Sequence, residues 1–186
     1  MMVGTKSVLF GAHQFILHPL FVAEAWSRLY GFPLDPRLWL AFFVHDLGYW
    51  GKPNMDGPEG DTHPEWGARL MERLFGPKWG DFCRYHSRYN AKRDGKPYSK
   101  LCVADKLVTV LEPWWFYLPR VRATGELVEY MANAREASAE SQLTRMGFGQ
   151  HGCAREWFTN IQKYLAAWVL EHRDCKEDTW TGASVK

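Results

Sequence analysis

The stretch FFVHDLGYWGKPNMDGPEGDTHPEWGARL, Phe42 to Leu70, decides how the chain is read, and within it the adjacent pair His45-Asp46. The segment WLAFFV before the pair, Trp39 to Val44, is apolar enough to be a buried helix, and Gly48 just after it is a candidate helix end. A histidine and a carboxylate at the inner end of an apolar helix are costly to bury unless something compensates them. A hydrogen-bonded His-Asp pair is one solution, and a divalent metal ion is another. A lone HD dipeptide favours the first. The rest of the chain favours the second.

Outward from that pair, helical periodicity dominates and no stretch alternates as a strand would. A helix is predicted over about Gln14 to Tyr30, with Phe15, His18, Val22, Ala25 and Leu29 on one face. Pro19 forces either a kink in it or a start near His18. Asp35 followed by Pro36 reads as the N-cap and first residue of a second helix running to about Asp46. Gly48 to Asp61 is rich in Gly and Pro and reads as a loop. A third helix from about Thr62 aligns His63, Gly67, Leu70 and Leu74, and a short one from Trp79 to Ser87 groups Trp79, Phe82, Cys83 and His86. SRYNAKRDGKPY, Ser87 to Tyr98, reads as a polar, basic loop. Ser99 then caps a helix with Leu101, Ala104, Asp105, Val108 and Leu111 on one face, which Pro113 ends. Helices over about Thr124 to Met146 and Cys153 to His172 complete an all-α fold. The last carries the apolar stripe Trp157, Ile161, Tyr164, Leu165, Trp168 and Val169.

A chain of 186 residues with 46% hydrophobic and 16% aromatic content suits one domain with a single sizeable core, expected over residues 1–173. Residues 174–186 read as a polar tail on which Trp180 is able to dock. A net charge of +2 implies no nucleic-acid partner from bulk electrostatics. Cys83, Cys102, Cys153 and Cys175 form no CxxC pair, which argues against a zinc knuckle or a disulfide framework and for reduced thiols. No signal peptide is legible, and no apolar run approaches the roughly 20 residues that span a bilayer. A soluble, cytoplasmic protein with no membrane partner is expected, and self-association stays open.

The informative feature is where the ionisable residues fall. His18, His63, His86 and Asp105 each lie on the apolar face of a different predicted helix, and His45-Asp46 closes another. One histidine on an apolar face is more often a satisfied core residue than a ligand. Five such segments would each need a private partner, whereas a shared metal centre satisfies them together. Imidazoles and carboxylates without thiolate suit iron or manganese, with cobalt, nickel or zinc as further candidates, better than calcium or magnesium. Six side chains exceed what one ion takes while leaving a position open, so two divalent transition-metal ions are expected, with Asp46 as the bridging carboxylate.

The ordered segments HPLFVAEA from His18, HDLG from His45, HPEWGARL from His63, RYHS around His86 and ADKL around Asp105 resemble the HD-domain superfamily of metal-dependent phosphohydrolases. The likeness runs from His18 to about Glu112 and follows the pattern with two additional histidines, as in HD-GYP phosphodiesterases and HD-type di-iron enzymes. The resemblance implies an HD-type helical bundle with the metal site between core helices. It also implies that His18, His45, Asp46 and Asp105 hold one ion and that Asp46, His63 and His86 hold the other. No GYP element follows the third segment, so cyclic dinucleotide specificity is not implied. Tyr49 stands where one-metal HD nucleotidases carry an acid/base glutamate, which favours a metal-activated hydroxide as nucleophile.

The resemblance implies hydrolysis of a phosphate ester of a nucleotide or small phosphorylated metabolite, with Asp46 at its centre. The loops supply anion donors: Lys52 after the metal pair and Arg88 after His86 are the candidates for substrate phosphate. Arg93 and Lys96 fit a solvated basic loop equally well, and Tyr49, Trp50 and Tyr89 fit either a stacking platform or core. His13, His151 and His172 are assigned to no site. Two other classes remain: a mixed-valent di-iron oxygenase acting on a small phosphonate or polyol, which needs the same ligands, and a non-catalytic ligand-binding HD module.

Overall fold

Why the interior of this molecule can hold a polar cluster follows from one helix, Lys100–Leu111, in the computed structural model. The structure describes residues 1–140 and 153–176. In chain order the helices are α1 (Val3–Phe10), α2 (Leu17–Tyr30), α3 (Pro36–Val44), α4 (Pro64–Phe75), α5 (Pro77–Arg84) and α6 (Arg88–Arg93). After them come α7 (Lys100–Leu111), α8 (Trp114–Thr124), α9 (Glu126–Glu140) and α10 (Ala154–His172). Short 3-10 turns at Leu47–Tyr49 and Gly60–Thr62 punctuate the α3–α4 connection. The fold is all-α, and among the described residues there is no strand.

α7 is apolar nearly all round because it is central. Leu101, Ala104 and Val108 pack with Val22, Ala25 and Phe42 of α2 and α3. Cys102 and Val103 face Tyr164, Leu165 and Trp168 of α10. A third cluster joins Tyr117 and Val121 of α8 to Phe158 of α10. The carboxylate of Asp105 therefore sits at the meeting point of α2, α7 and α10 with almost no access to bulk water.

Two glycines bring the next parts of the site together. A Cβ on Gly67 would stand 2.5 Å from the Val44 carbonyl, and one on Gly48 would stand 1.9 Å from the His63 carbonyl. Any side chain at either position would push α4 off the end of α3. Their absence lets His63 rest beside His45-Asp46.

Several expectations are corrected at element ends. Of the two outcomes that Pro19 allows, the structure has the start near His18: α2 begins at Leu17, not Gln14, and Pro19 lies in its first turn, where its missing N–H costs no hydrogen bond. α3 ends at Val44 rather than at Asp46, and Gly48 is no helix end; it serves the close approach to His63. The cap of α3 is as read: Asp35 accepts from the Arg37 N–H at 2.9 Å. α5 ends at Arg84, and the basic stretch after it folds as α6, with Ser87 accepting from the Asn90 N–H. The sequence reading also passed over α1 and α8. The Met146 end of the predicted long helix, His151 and Trp180 lie outside the described residues.

Candidate metal centre

Each of the six side chains singled out in the sequence reaches one buried point. His18 comes from the first turn of α2, His45-Asp46 from just past α3, and His63 from the N-cap of α4. His86 comes from the link between α5 and α6, and Asp105 from the middle of α7. Ligand atoms of His18, His45, Asp46 and Asp105 lie within 4.8 Å of one another, and so do those of Asp46, His63 and His86.

The imidazoles are aimed by their backbones. Nδ1–H of His45 donates to the Phe42 carbonyl at 2.9 Å, that of His63 to Gly60 at 2.8 Å, and that of His86 to Cys83 at 2.5 Å. A carbonyl only accepts, so Nδ1 carries a proton and each Nε2 faces the centre, where the neutral ring offers a lone pair. There the spacing suits metal ligands. His18 Nε2 lies 3.2 Å from Asp46 Oδ2 and 3.0 Å from Asp105 Oδ1, and His45 Nε2 lies 3.1 Å from Asp46 Oδ2. On the other side, Asp46 Oδ1 is 3.2 Å from His86 Nε2 and 3.5 Å from His63 Nε2, which are 3.1 Å apart. Ligand atoms about 2.1 Å from one ion stand roughly 3.0–3.4 Å apart at octahedral or tetrahedral angles. The two oxygens of Asp46 are thus divided between two sets.

His18 Nε2, His45 Nε2 and Asp46 Oδ2 are buried without a hydrogen-bond partner. Uncompensated buried ions cost several kcal/mol each, so the arrangement calls for a cation among these atoms. Without a metal, protons take that role. Burial pushes the His45 imidazolium down, but the Asp46 and Asp105 carboxylates outweigh it and raise the ring to about 10. His18 is raised by the same balance. Burial pushes Asp46 up, but the charge of the His45 imidazolium beside it outweighs burial and, with the close His18 ring, holds it well below the usual carboxylate range. His63 goes the other way: burial, with His86 adding to it, lowers it well below an ordinary histidine. The buried His/Asp groups can hold metal and are compatible with an HD-type site.

Two cavities, of about 460 and 360 Å³, open over the cluster, and Tyr49, Asp56, Arg88, Asp105 and Lys106 line both. His13, which the helical pattern assigns to no site, lines both as well. Its Nε2 stands 4.0 Å from Asp46 Oδ2, and Ser7 Oγ lies 2.9 Å from its Nδ1. Burial holds its pKa down at about 4, so the ring is neutral. The strap that carries it is tied by Glu126, whose carboxylate accepts from the Ala12 N–H at 3.1 and 3.2 Å. Nothing in the local sequence signals this.

The anion donors divide. Arg88 opens α6, lines both cavities and donates to Tyr164 Oη at 2.9 Å. Lys52 does not face the cluster: its Nζ donates to Thr62 Oγ1 at 2.5 Å in a separate groove, because the Tyr49–Pro53 loop turns outward. Lys106 takes that place, its ammonium 2.8 Å from Asp105 Oδ2 on the cavity wall. Burial lowers its pKa, but the Asp105 carboxylate outweighs burial and keeps it a firm cation. Tyr49 is buried and stacked on His63 at 3.9 Å, whereas Trp50 is exposed and Tyr89 half-exposed. Arg93 pairs with Asp94. His172 is a core residue stacked on Trp168. All four cysteines are free thiols. Among the described residues no helix is long and apolar enough to cross a membrane.

Set against known proteins, the chain matches no family model, no curated protein and no solved structure.

Proposed function

We propose that this chain is a metal-dependent phosphohydrolase of the HD type, cleaving a phosphate ester of a nucleotide or small phosphorylated metabolite. The observation that carries the reading is the division of Asp46: Oδ2 faces His18 and His45 while Oδ1 faces His63 and His86. One carboxylate between two imidazole pairs fits two transition-metal ions, iron or manganese before zinc, given the absence of thiolate. Such ions, when bound, supply Lewis acidity and lower the pKa of water.

The chain's own residues complete the requirements. Lys106 and Arg88 line the cavity as cations and are placed to bind phosphoryl oxygens. His13 is neutral and is placed to accept a hydrogen bond or proton beside Asp46. Asp61, lining the smaller cavity with His63 and His86, is raised to about 6, chiefly by burial with Asp56 adding to it. A carboxyl group with that pKa is suited to protonate a leaving alkoxide near neutral pH, the role for which Tyr49 is unfit. The phenol of Tyr49 is pushed well above its ordinary value by burial and the surrounding carboxylates.

The test is phosphate release from a panel of nucleoside monophosphates and sugar phosphates by manganese-loaded protein under anaerobic conditions, with Asp46→Ala as control. Release that disappears in the control is expected. Dioxygen uptake coupled to substrate loss in iron-loaded protein, with no hydrolysis under nitrogen, would replace this reading with an oxygenase. Tight substrate binding with no turnover under either condition would replace it with a binding module.

A further inference from the structure

A second groove, of about 1000 Å³, shares no lining residue with the cavities over the cluster. Trp50, at the end of the Leu47–Tyr49 turn, and Trp66, in the first turn of α4, both line it, and they are 60% and 53% exposed. Neither indole makes a ring contact or side-chain hydrogen bond with another described residue. Large aromatic side chains left in water have no folding benefit, and two in one concavity mark a place where something else covers them.

The same groove is cationic. Arg69 and Arg73 stand four residues apart on α4, so they project from one face one turn apart, and Lys52 joins them in the lining. No ion pair of Arg69 or Arg73 is found among the described residues. Glu65, the one carboxylate of the lining, is engaged by Arg84 at 3.4 Å. The charge waiting to be neutralised is therefore positive.

Exposed indoles beside unneutralised guanidinium groups are the chemistry that stacks a base and holds its phosphates. The concave form and a volume at the top of the usual range for small-molecule sites suit a nucleotide better than a flat lipid surface. A net charge of +2 exerts no bulk electrostatic pull on a long nucleic-acid strand. We propose that this groove binds a nucleotide carrying a di- or triphosphate, its base against Trp50 and Trp66 and its phosphates on Arg69, Arg73 and Lys52. The site is independent of the hydrolytic reading. Its wall adjoins the cluster all the same, since Thr62 precedes His63 and Gly48 packs against the His63 carbonyl.

Equilibrium dialysis of the full chain against ADP tests this, with adenosine, inorganic pyrophosphate, a ten-residue oligothymidylate and phosphatidylserine vesicles as the other arms. ADP is expected to bind at least tenfold more tightly than adenosine or pyrophosphate. Trp66→Ala and the double change Arg69→Ala with Arg73→Ala should each weaken ADP about tenfold or more, with Trp66→Phe restoring most of the loss. Lys106→Met, over the cluster, should leave unchanged the component of ADP binding that Trp66→Ala removes, so that ADP held over the cluster is told apart from ADP held in the groove. All the groove substitutions are at the surface, and unaltered circular dichroism checks the fold. The proposal is overturned by absent ADP binding, or by ADP binding that both groove variants retain in full. Oligothymidylate or vesicles that bind through Trp66 more tightly than ADP overturn it too.

Discussion

His18 and Asp105 reach the cluster from within α2 and α7, whereas His63 stands at the N-cap of α4 and His86 in the link between α5 and α6. The charge balance differs in the same way. On the first side two carboxylates face two imidazoles, so protons on His18 and His45 compensate the buried negative charge without a metal. On the second side two Nε2 atoms lie 3.1 Å apart and share one oxygen of Asp46, and His63 stays neutral. One polar cluster is therefore balanced in two ways, by paired opposite charges on the first side and by a hydrogen-bonded Nε2 pair over one carboxylate oxygen on the second.

The largest effect is expected from Asp46→Ala, which removes the only group the halves share. Elemental analysis should find both ions lost and assays no turnover, with helical circular dichroism retained. Two ions still bound would break the bridging geometry. His63→Ala separates the halves: one ion per chain should remain, with activity lost. If His63→Ala empties the whole centre while His18→Ala empties only half of it, the second side and not the first anchors the centre.

Lys106, tied to the first half through Asp105, and Arg88, held by Tyr164, are the two proposed substrate donors on the cavity wall. Lys106→Met should lower kcat/KM by roughly tenfold to a hundredfold with metal content unchanged, the effect of losing one charged hydrogen bond. Arg88→Met should cost less, because its guanidinium also packs over Trp168. Chelation should lower Tm by about 5–10 °C, the equivalent of about 2.7 kcal/mol for an ion present at a hundred times its dissociation constant. Chelation that leaves Tm unmoved would mean that neither half binds metal in solution.

The smallest effect is a pH dependence whose direction reverses with metal. In the metal-free protein the raised His45 contributes stability in full below about 6.5, and that contribution is lost as pH rises toward about 10. The depressed Asp46 and Asp105 contribute above the ordinary aspartate value of 3.8, and their contribution is lost as pH falls through their folded values. Thermal melts of chelated protein should thus weaken from neutral to alkaline pH. Metal binding needs the neutral imidazole, so loaded protein should hold or gain stability over the same range. Parallel profiles for the two forms would remove the proton-for-metal exchange on which the comparison rests.

Within helices the site was legible in advance. His18 and Asp105 fall at spacings of three and four among apolar neighbours, and the helical period alone turns them inward. His63 was legible through the strong periodic pattern that follows it. Lys52 was not: it lies in a Gly/Pro-rich connection where no period relates position to direction, and it points into another groove. His13 fails for the same reason, since its place depends on Glu126, 114 residues from the Ala12 N–H that it ties down.

By itself, then, the sequence determined the helical class, the caps at Asp35 and Ser99, and the candidate ligand residues and their order, because each follows from local chemistry and a 3.6-residue period. Only the tertiary structure decided that His13 and Lys106 stand over the cluster, and that Trp50 and Lys52 line a second groove. Those facts depend on how close α4 comes to the end of α3 and which way each connection turns. Contacts between residues far apart in the chain set both, and one such contact requires the missing side chains of Gly48 and Gly67.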